Sequence, residues 1–194
     1  MTAVNSGLSS DLRGIWGSAP NDIWIVGTTG VFRYNGTSLS AVPTPIGSMG
    51  PFYGVWGSAA NDVWAVGSSI LHWDGTAWSK ASGTVPTLYG IWGSSSSDVW
   101  AVGALGRVQH FDGTSWSVVQ TGLGQSVSLS AVSGSGPNDV WIVGAAATML
   151  HFDGSTWFRV LLGTTSDLTG VWASGGKDVW AVGPRGLILH RHIP

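Results

Sequence analysis

Five near-copies of the hexapeptide Asp-Val-Trp-Ala-Val-Gly, a tight-turn dipeptide after four of them, and the lack of any sustained apolar period of 3.6 predict an all-β chain. The specific expectation is a five-bladed β-propeller with four antiparallel strands per blade. The copies open at Asp22, Asp62, Asp98, Asp139 and Asp178, at intervals of 40, 36, 41 and 39 residues. Repeats of that length are the signature of four-stranded blades, and five lies within the usual range of about four to eight. The 194 residues then form a single propeller over 1–194, with blades at roughly 7–42, 43–81, 82–119, 120–161, and 162–194 plus 1–6.

Each copy reads as four short β-branched or aromatic runs separated by turn residues. Strand one has the form LxGVWG. Its central position holds Trp16, Trp56, Trp92, Ser133 and Trp172, each six residues before the Asp that opens strand two. Strand two is the hexapeptide itself. Strand three ends on Arg33, His72, His110, His151 and His190 with, in four copies, an aromatic after it. Asn35-Gly36, Asp74-Gly75, Asp112-Gly113 and Asp153-Gly154 follow, dipeptides that accept the positive φ of a hairpin turn. Strand four starts at Leu39, Trp78, Trp116 and Trp157. The fifth copy has no such run. Residues 2–6 lie where one should be, because Thr2 stands 14 residues before Trp16, as Trp78 does before Trp92. The N-terminal strand is therefore expected to complete the last blade and close the ring, which removes the exposed strand edges at the joint.

The segments GSAPNDIWIVG, GSAANDVWAVG and ILHWDGTAWS resemble the NDVWAVG…LHWDGTxW repeats of large bacterial propeller proteins, many of them myxobacterial. The resemblance spans essentially the whole chain and implies the fold, not an activity. More loosely, the blades are similar to the tectonin and tachylectin propeller lectins, which implies glycan binding in repeated pockets between blades. The DGTxW element also resembles the Asp-box hairpin of sialidase-like propellers. The chain lacks the full Ser-x-Asp-x-Gly-x-Thr-Trp form, the arginine triad and the tyrosine nucleophile of those enzymes.

Composition narrows the function classes. A net charge of −2 with 9% charged residues gives no electrostatic draw toward nucleic acid or an anionic membrane. No apolar run approaches the ~20 residues of a membrane span. The N-terminal MTAVNSGLSS carries no signal-peptide pattern, so the compartment stays open, secretion or a bacterial cell surface included. There is no cysteine, hence no thiolate metal site and no thiol nucleophile.

Removing the repeated positions leaves no catalytic set. There is no Glu. Five of the ten Asp open strand two, three make Asp-Gly turns, and Asp11 and Asp167 share one position before strand one. No carboxylate pair remains for acid–base work. The four repeated His sit on strand three of separate blades, too far apart to converge on one metal at about 2.0–2.1 Å. Each His, standing two residues before the turn Asp as His72 stands before Asp74, is expected instead to join a hydrogen-bond network that fixes its hairpin. Twelve of the 13 Trp occupy three repeated positions and are expected to pack between blades. Neither an enzyme, a cofactor nor a metal site is expected.

Loop lengths separate the two ends of the blades. The spacing from strand one to strand two is six in every copy, and from strand three to strand four again six. From the strand-two Trp to the His or Arg of strand three it runs 9, 8, 10, 10 and 10, and from strand four to the next strand one 17, 14, 17 and 15. Both variable loops emerge at the same end, where binding on a rigid scaffold usually lives. The candidate ligand-binding residues there are Arg13, Tyr53 and Tyr89, which with Ser130 and Thr169 fill one position of strand one. The leading expectation is a monomeric, non-enzymatic binding scaffold whose partner, protein or glycan, docks on the variable-loop face. The alternatives are a lectin with sites between blades, and a repeat scaffold, excised from a longer array or engineered, that has no ligand.

Overall fold

The computed structural model describes residues 6–45, 50–81, 86–175 and 178–192, the side chain of His192 excepted. It holds 19 strands in five antiparallel sheets. The chain divides into two compact units, Met1–Gly83 and Thr84–Pro194.

The first unit contains two sheets. One is β1 (Leu12–Ala19), β2 (Asp22–Gly27), β3 (Gly30–Tyr34) and β4 (Leu39–Val42). The other is β5 (Phe52–Ala59), β6 (Asp62–Gly67), β7 (Ile70–Trp73) and β8 (Trp78–Lys80). Both are simple up-and-down meanders, as the short turns demand. Trp24, Val26 and Val31 of the first sheet meet Phe52, Val55, Ala65 and Trp78 of the second in one apolar cluster, with Trp16 packed at its side.

The second unit contains three sheets. The third is β9 (Leu88–Ser95), β10 (Asp98–Gly103), β11 (Val108–Phe111) and β12 (Trp116–Val118). The fourth is β13 (Leu129–Gly136), β14 (Asp139–Gly144), β15 (Thr148–Phe152) and β16 (Trp157–Arg159). The fifth has three described strands, β17 (Gly170–Ala173), β18 (Asp178–Val182) and β19 (Ile188–His192). Trp100, Val102 and Val108 pack on Leu129, Val132 and Ile142. Trp141, Val143 and Met149 repeat the arrangement one sheet on, against Leu168, Ala173 and Ala181.

Within these clusters the first, third and fourth sheets each present a Trp/Val face to the next sheet, which meets it with a largely aliphatic face. Strand register makes this possible. Trp92, Trp100, His110 and Ser117 lie in one row across the third sheet, and Trp56, Trp64, His72 and Ser79 in the second. A period of two puts every member of such a row on one face. The expected N-terminal strand falls on residues 2–6, of which all but Ser6 lie outside the described residues.

Candidate functional site

The invariant end of each sheet is held by polar side chains. Asp62 accepts from Ser58 Oγ at 2.5 Å and from His72 Nε2 at 2.6 Å. Asp98 accepts from Ser94 Oγ, from Trp100 Nε1 at 3.0 Å and from His110 Nε2 at 2.6 Å. Asp139 and Asp178 repeat this pattern with Ser135, Trp141 and His151, and with Ser174, Trp180 and His190. Each His ring also stacks on its strand-two Trp, with centroids 3.9–4.2 Å apart. In the first sheet Arg33 takes the place of His. Its Nε donates to Asp22 at 2.7 Å and its guanidinium lies 4.9 Å over Trp24.

The His residues therefore bond to the Asp that opens strand two, not to the turn Asp that follows them. Antiparallel pairing places strand three beside strand two, so the nearer partner in space is ten to twelve residues away in sequence. Burial pushes the Asp98 carboxyl up, but the hydrogen bonds from His110 and Ser94 outweigh it and leave the group below its ordinary value. Asp178 is lowered chiefly by His190.

The turn residues form a second invariant set. Asp74 Oδ1 accepts from the amides of Thr76 and Ala77 and from Thr76 Oγ1, which lowers its pKa to about 2. Asp153 does the same with Ser155 and Thr156, again to about 2. Asn35 and Asp112 share the geometry. The remaining carboxylates are also engaged: Asp167 caps the amide of Ala146, and Asp11 lies 3.6 Å from Arg13. No group of three His, Asp or Glu side chains gathers among the described residues.

The variable end is built differently. The backbone of Ala104 donates to Thr87 O, Ala145 to Ser128 O and Ala147 to Ser166 O. These bonds tie the strand-two-to-three loops of the third and fourth sheets to segments leading into strand one, so in these sheets both variable loop sets share one end. The loops differ in conformation: short 3₁₀ turns at Ala104–Gly106 and Pro184–Gly186, but two successive left-handed alanines, Ala146 and Ala147, in the fourth sheet. All four non-glycine residues of positive φ among the described residues, Leu105, Ala146, Ala147 and Arg185, lie in these loops. Each costs on the order of 1–3 kcal/mol in backbone strain, and such residues cluster at binding and switch regions.

Of the sequence-predicted site residues, Arg13 and Tyr53 are brought together, the guanidinium 5.0 Å over the Tyr ring. Arg13 is exposed and Tyr53 half-buried. Tyr89 occupies the same strand-one position in the second unit and is half-buried. Two of the strand-four Trp pack on aromatic neighbours of the preceding sheet. Trp78 meets Trp24 edge-on at 5.2 Å and Trp157 meets Trp100 at 5.4 Å. A hollow of about 520 Å³ lies between the third and fourth sheets, lined by Trp100, Gln120, Thr121, Thr156 and Trp157 among others. The strained loops and the Asp167 cap escaped sequence reasoning, because neither alanine nor a lone Asp signals a left-handed turn.

No protein-family model matches the sequence, and no curated protein does. Solved structures do. The WD40 β-propeller domain of Doa1 superposes with a TM-score of 0.77 at 12% identity, over 94% of this chain and 64% of that one. Virginiamycin B lyase from Staphylococcus aureus gives 0.73 at 16% identity, over 94% and 70%. A chain of the nidogen–laminin complex gives 0.71 at 12% identity, over 95% and 81%. At such identities the likeness is one of fold: the described residues form five antiparallel sheets, and the solved structures they resemble are β-propellers.

Proposed function

We propose that the chain is a non-enzymatic interaction scaffold that recognises a protein partner with its variable-loop end. The observation that carries this reading is the confinement of backbone strain to that end: every non-glycine positive φ among the described residues lies there, while the opposite end repeats one turn geometry. Arg13, Tyr53 and Tyr89 flank those loops and supply the aromatic and guanidinium groups that carry contact energy in protein interfaces. The carboxylates of the described residues are spent on turns, caps and His partners, which supports a role without catalysis. The nidogen–laminin complex supports a protein partner for a scaffold of this fold. The same reading takes the five sheets as one ring, closed through residues 2–6, and the chain as a monomer. The relationship to the NDVWAVG-type bacterial propellers belongs to it.

The test is capture of partners by the wild-type chain and by two variants that melt at the wild-type temperature. A partner retained by a constant-end variant such as Thr114→Ala, and lost by the Arg13→Ala/Tyr53→Ala/Tyr89→Ala variant, supports the reading. Loss through the constant end alone, or binding only to glycans on an array, overturns it.

A further inference from the structure

Charge is divided unevenly between the two ends of the sheets. Eight of the ten Asp either open strand two or make the turn between strands three and four, so they belong to the constant end. The other two, Asp11 and Asp167, precede strand one; Asp11 lies beside Arg13, and Asp167 accepts from the Ala146 amide. Of the seven Lys and Arg among the described residues, Arg33 and Arg191 lie at the constant end, the first bound to Asp22 and the second over the Trp141 ring. The remaining five fall at the variable end, one to a sheet: Arg13 in β1, Lys80 closing β8, Arg107 before β11, Arg159 closing β16 and Arg185 in the turn before β19. Lys80, Arg107, Arg159 and Arg185 have no carboxylate of the described residues within salt-bridge distance. A net charge of −2 thus hides carboxylates gathered at the constant end and cations left over at the variable one.

Within the second unit, half-buried Arg107 stands in a hollow of about 140 Å³ whose lining includes Leu105, Val118, Gln120, Thr121 and Gln125. Its walls are pinned by backbone bonds. Gly103 donates to Arg107 O at 3.0 Å and Arg107 to Ala104 O at 3.1 Å on one side, Val119 to Val108 O at 3.0 Å on the other, and Gly106 to Val127 O at 2.6 Å between them. Leu105, held at φ +59° and 57% exposed, and Val118, 50% exposed, set apolar surface beside the polar lining. The volume is well under the roughly 300–1,000 Å³ of a small-molecule pocket, so it suits one side chain rather than a whole ligand.

We propose that this hollow takes an Asp or Glu side chain of the protein partner, with Arg107 as its counter-ion and an apolar neighbour of that residue resting on Leu105. This rests on the interaction-scaffold reading above and names the chemistry of the partner. A guanidinium offers a planar fork of donors that fits a carboxylate in two parallel bonds. Half-burial weakens the screening of such a pair relative to one in open water. The amides of Gln120 and Gln125 and the Thr121 hydroxyl supply donors for the lone pairs that the fork leaves. Walls already held by backbone bonds cost little to order on binding. Arg159 and Arg185, exposed at the same end of their own sheets, add a field that draws in an anionic segment and raises its rate of encounter. A nucleic acid or an anionic membrane fits less well, because a run of phosphates is held by several cations, and each sheet offers a single one at this end.

The probe is a random peptide library passed over the immobilised full-length chain. Wild type should retain peptides with Asp or Glu at one position next to an apolar residue, and added salt should weaken their binding. Arg107→Gln should weaken the strongest of them roughly tenfold or more, as the loss of a hydrogen bond between charged groups does. Arg107→Glu should turn the preference to Lys or Arg, a gain that unfolding cannot produce. Arg191→Gln, at the constant end, should keep the wild-type selection. Retained peptides with no acidic preference overturn the proposal, as do acidic peptides that Arg107→Gln binds as tightly as wild type. So does a column that retains no peptide, or one that holds single-stranded DNA or phosphatidylserine vesicles in place of acidic peptides. Partner capture by the Arg13→Ala/Tyr53→Ala/Tyr89→Ala variant reads the loop end separately. Non-acidic peptides lost in that variant leave the scaffold reading standing, and a partner held through the constant end alone overturns that reading whatever the peptides show.

Discussion

Asp98→Ala isolates what the Ser–Asp–His–Trp cluster contributes to a sheet. The substitution removes the acceptor for three donors, and their surroundings decide the cost. Ser94 and His110 are half-exposed and can turn to water. Trp100 is 3% exposed, so its Nε1–H is stranded in an apolar cluster. A buried donor left unsatisfied costs about 1–3 kcal/mol. Loss of the bond that orients His110 against Trp100, stacked at 4.0 Å, adds roughly 0.5–1 kcal/mol. The expected loss is about 1.5–4 kcal/mol, which lowers Tm by roughly 3–16 °C in a chain of this size. Urea and thermal melts followed by circular dichroism measure it. A double-mutant cycle with His110→Ala should give a coupling of about 0.5–3 kcal/mol. The matching substitution Asp178→Ala should cost clearly less, because Trp180 is 40% exposed and its indole can find water. If Asp98→Ala melts within a degree of wild type, or Asp98→Ala and Asp178→Ala cost the same, the cluster does not hold the sheet in the way the geometry implies.

Gly113→Ala should destabilise by about 1–3 kcal/mol, since a Cβ there would meet Ser97 Cβ at 2.8 Å on a backbone with φ of +92°. Gly122→Ala, at φ +75° in open space, should cost less, and equal losses in urea melts would refute the steric argument. Acid should destabilise the fold: Asp74 and Asp153 are held at about 2, and Asp98, Asp112 and Asp178 are also lowered. Their folded pKa values lie below the unfolded value of about 3.9, so the stability is present above pH ~4 and is lost as pH falls toward 2; a Tm unchanged between pH 5 and 2 would contradict this. On the ring reading proposed above, deleting residues 1–6 should lower Tm and promote association, whereas a clean monomer of unchanged Tm would sink that reading.

Strands were legible in the sequence because each copy repeats both its pattern and its turn chemistry. Gly36, Gly75, Gly113 and Gly154 all have φ near +95°, as the Asn-Gly and Asp-Gly dipeptides required. The partner of each His was not legible from spacing alone. His72 stands two residues from Asp74 and ten from Asp62, and only the pairing of β6 with β7 reverses that order of nearness. A signal was present nonetheless: a His, or Arg33 in its place, recurs on strand three in every copy alongside the strand-two Asp. The approach of Arg13 to Tyr53 had a weaker signal, since equal positions in adjacent repeats become neighbours only after β1 packs beside β5. The left-handed alanines had none, because their conformation is imposed from outside, by the Asp167 cap and the Ser166 carbonyl.

That imposed conformation bears on where specificity can reside. At the constant end, Asn35, Asp74, Asp112 and Asp153 each accept the amides two and three residues on, so four sheets share one turn and offer a ligand four equivalent surfaces. A ligand bound there would see a repeated site and bind with a stoichiometry set by the number of sheets. At the other end no such equivalence exists. The first sheet crosses from β2 to β3 through Thr28 and Thr29, the third through a 3₁₀ turn with Leu105 exposed, the fourth through Ala146 and Ala147. Each loop is pinned by hydrogen bonds to a neighbouring segment, so the differences are rigid and cost little further ordering when a partner binds. On the proposed reading, rigid, unequal loops would hold one partner in one orientation, and a titration should give a single-site stoichiometry.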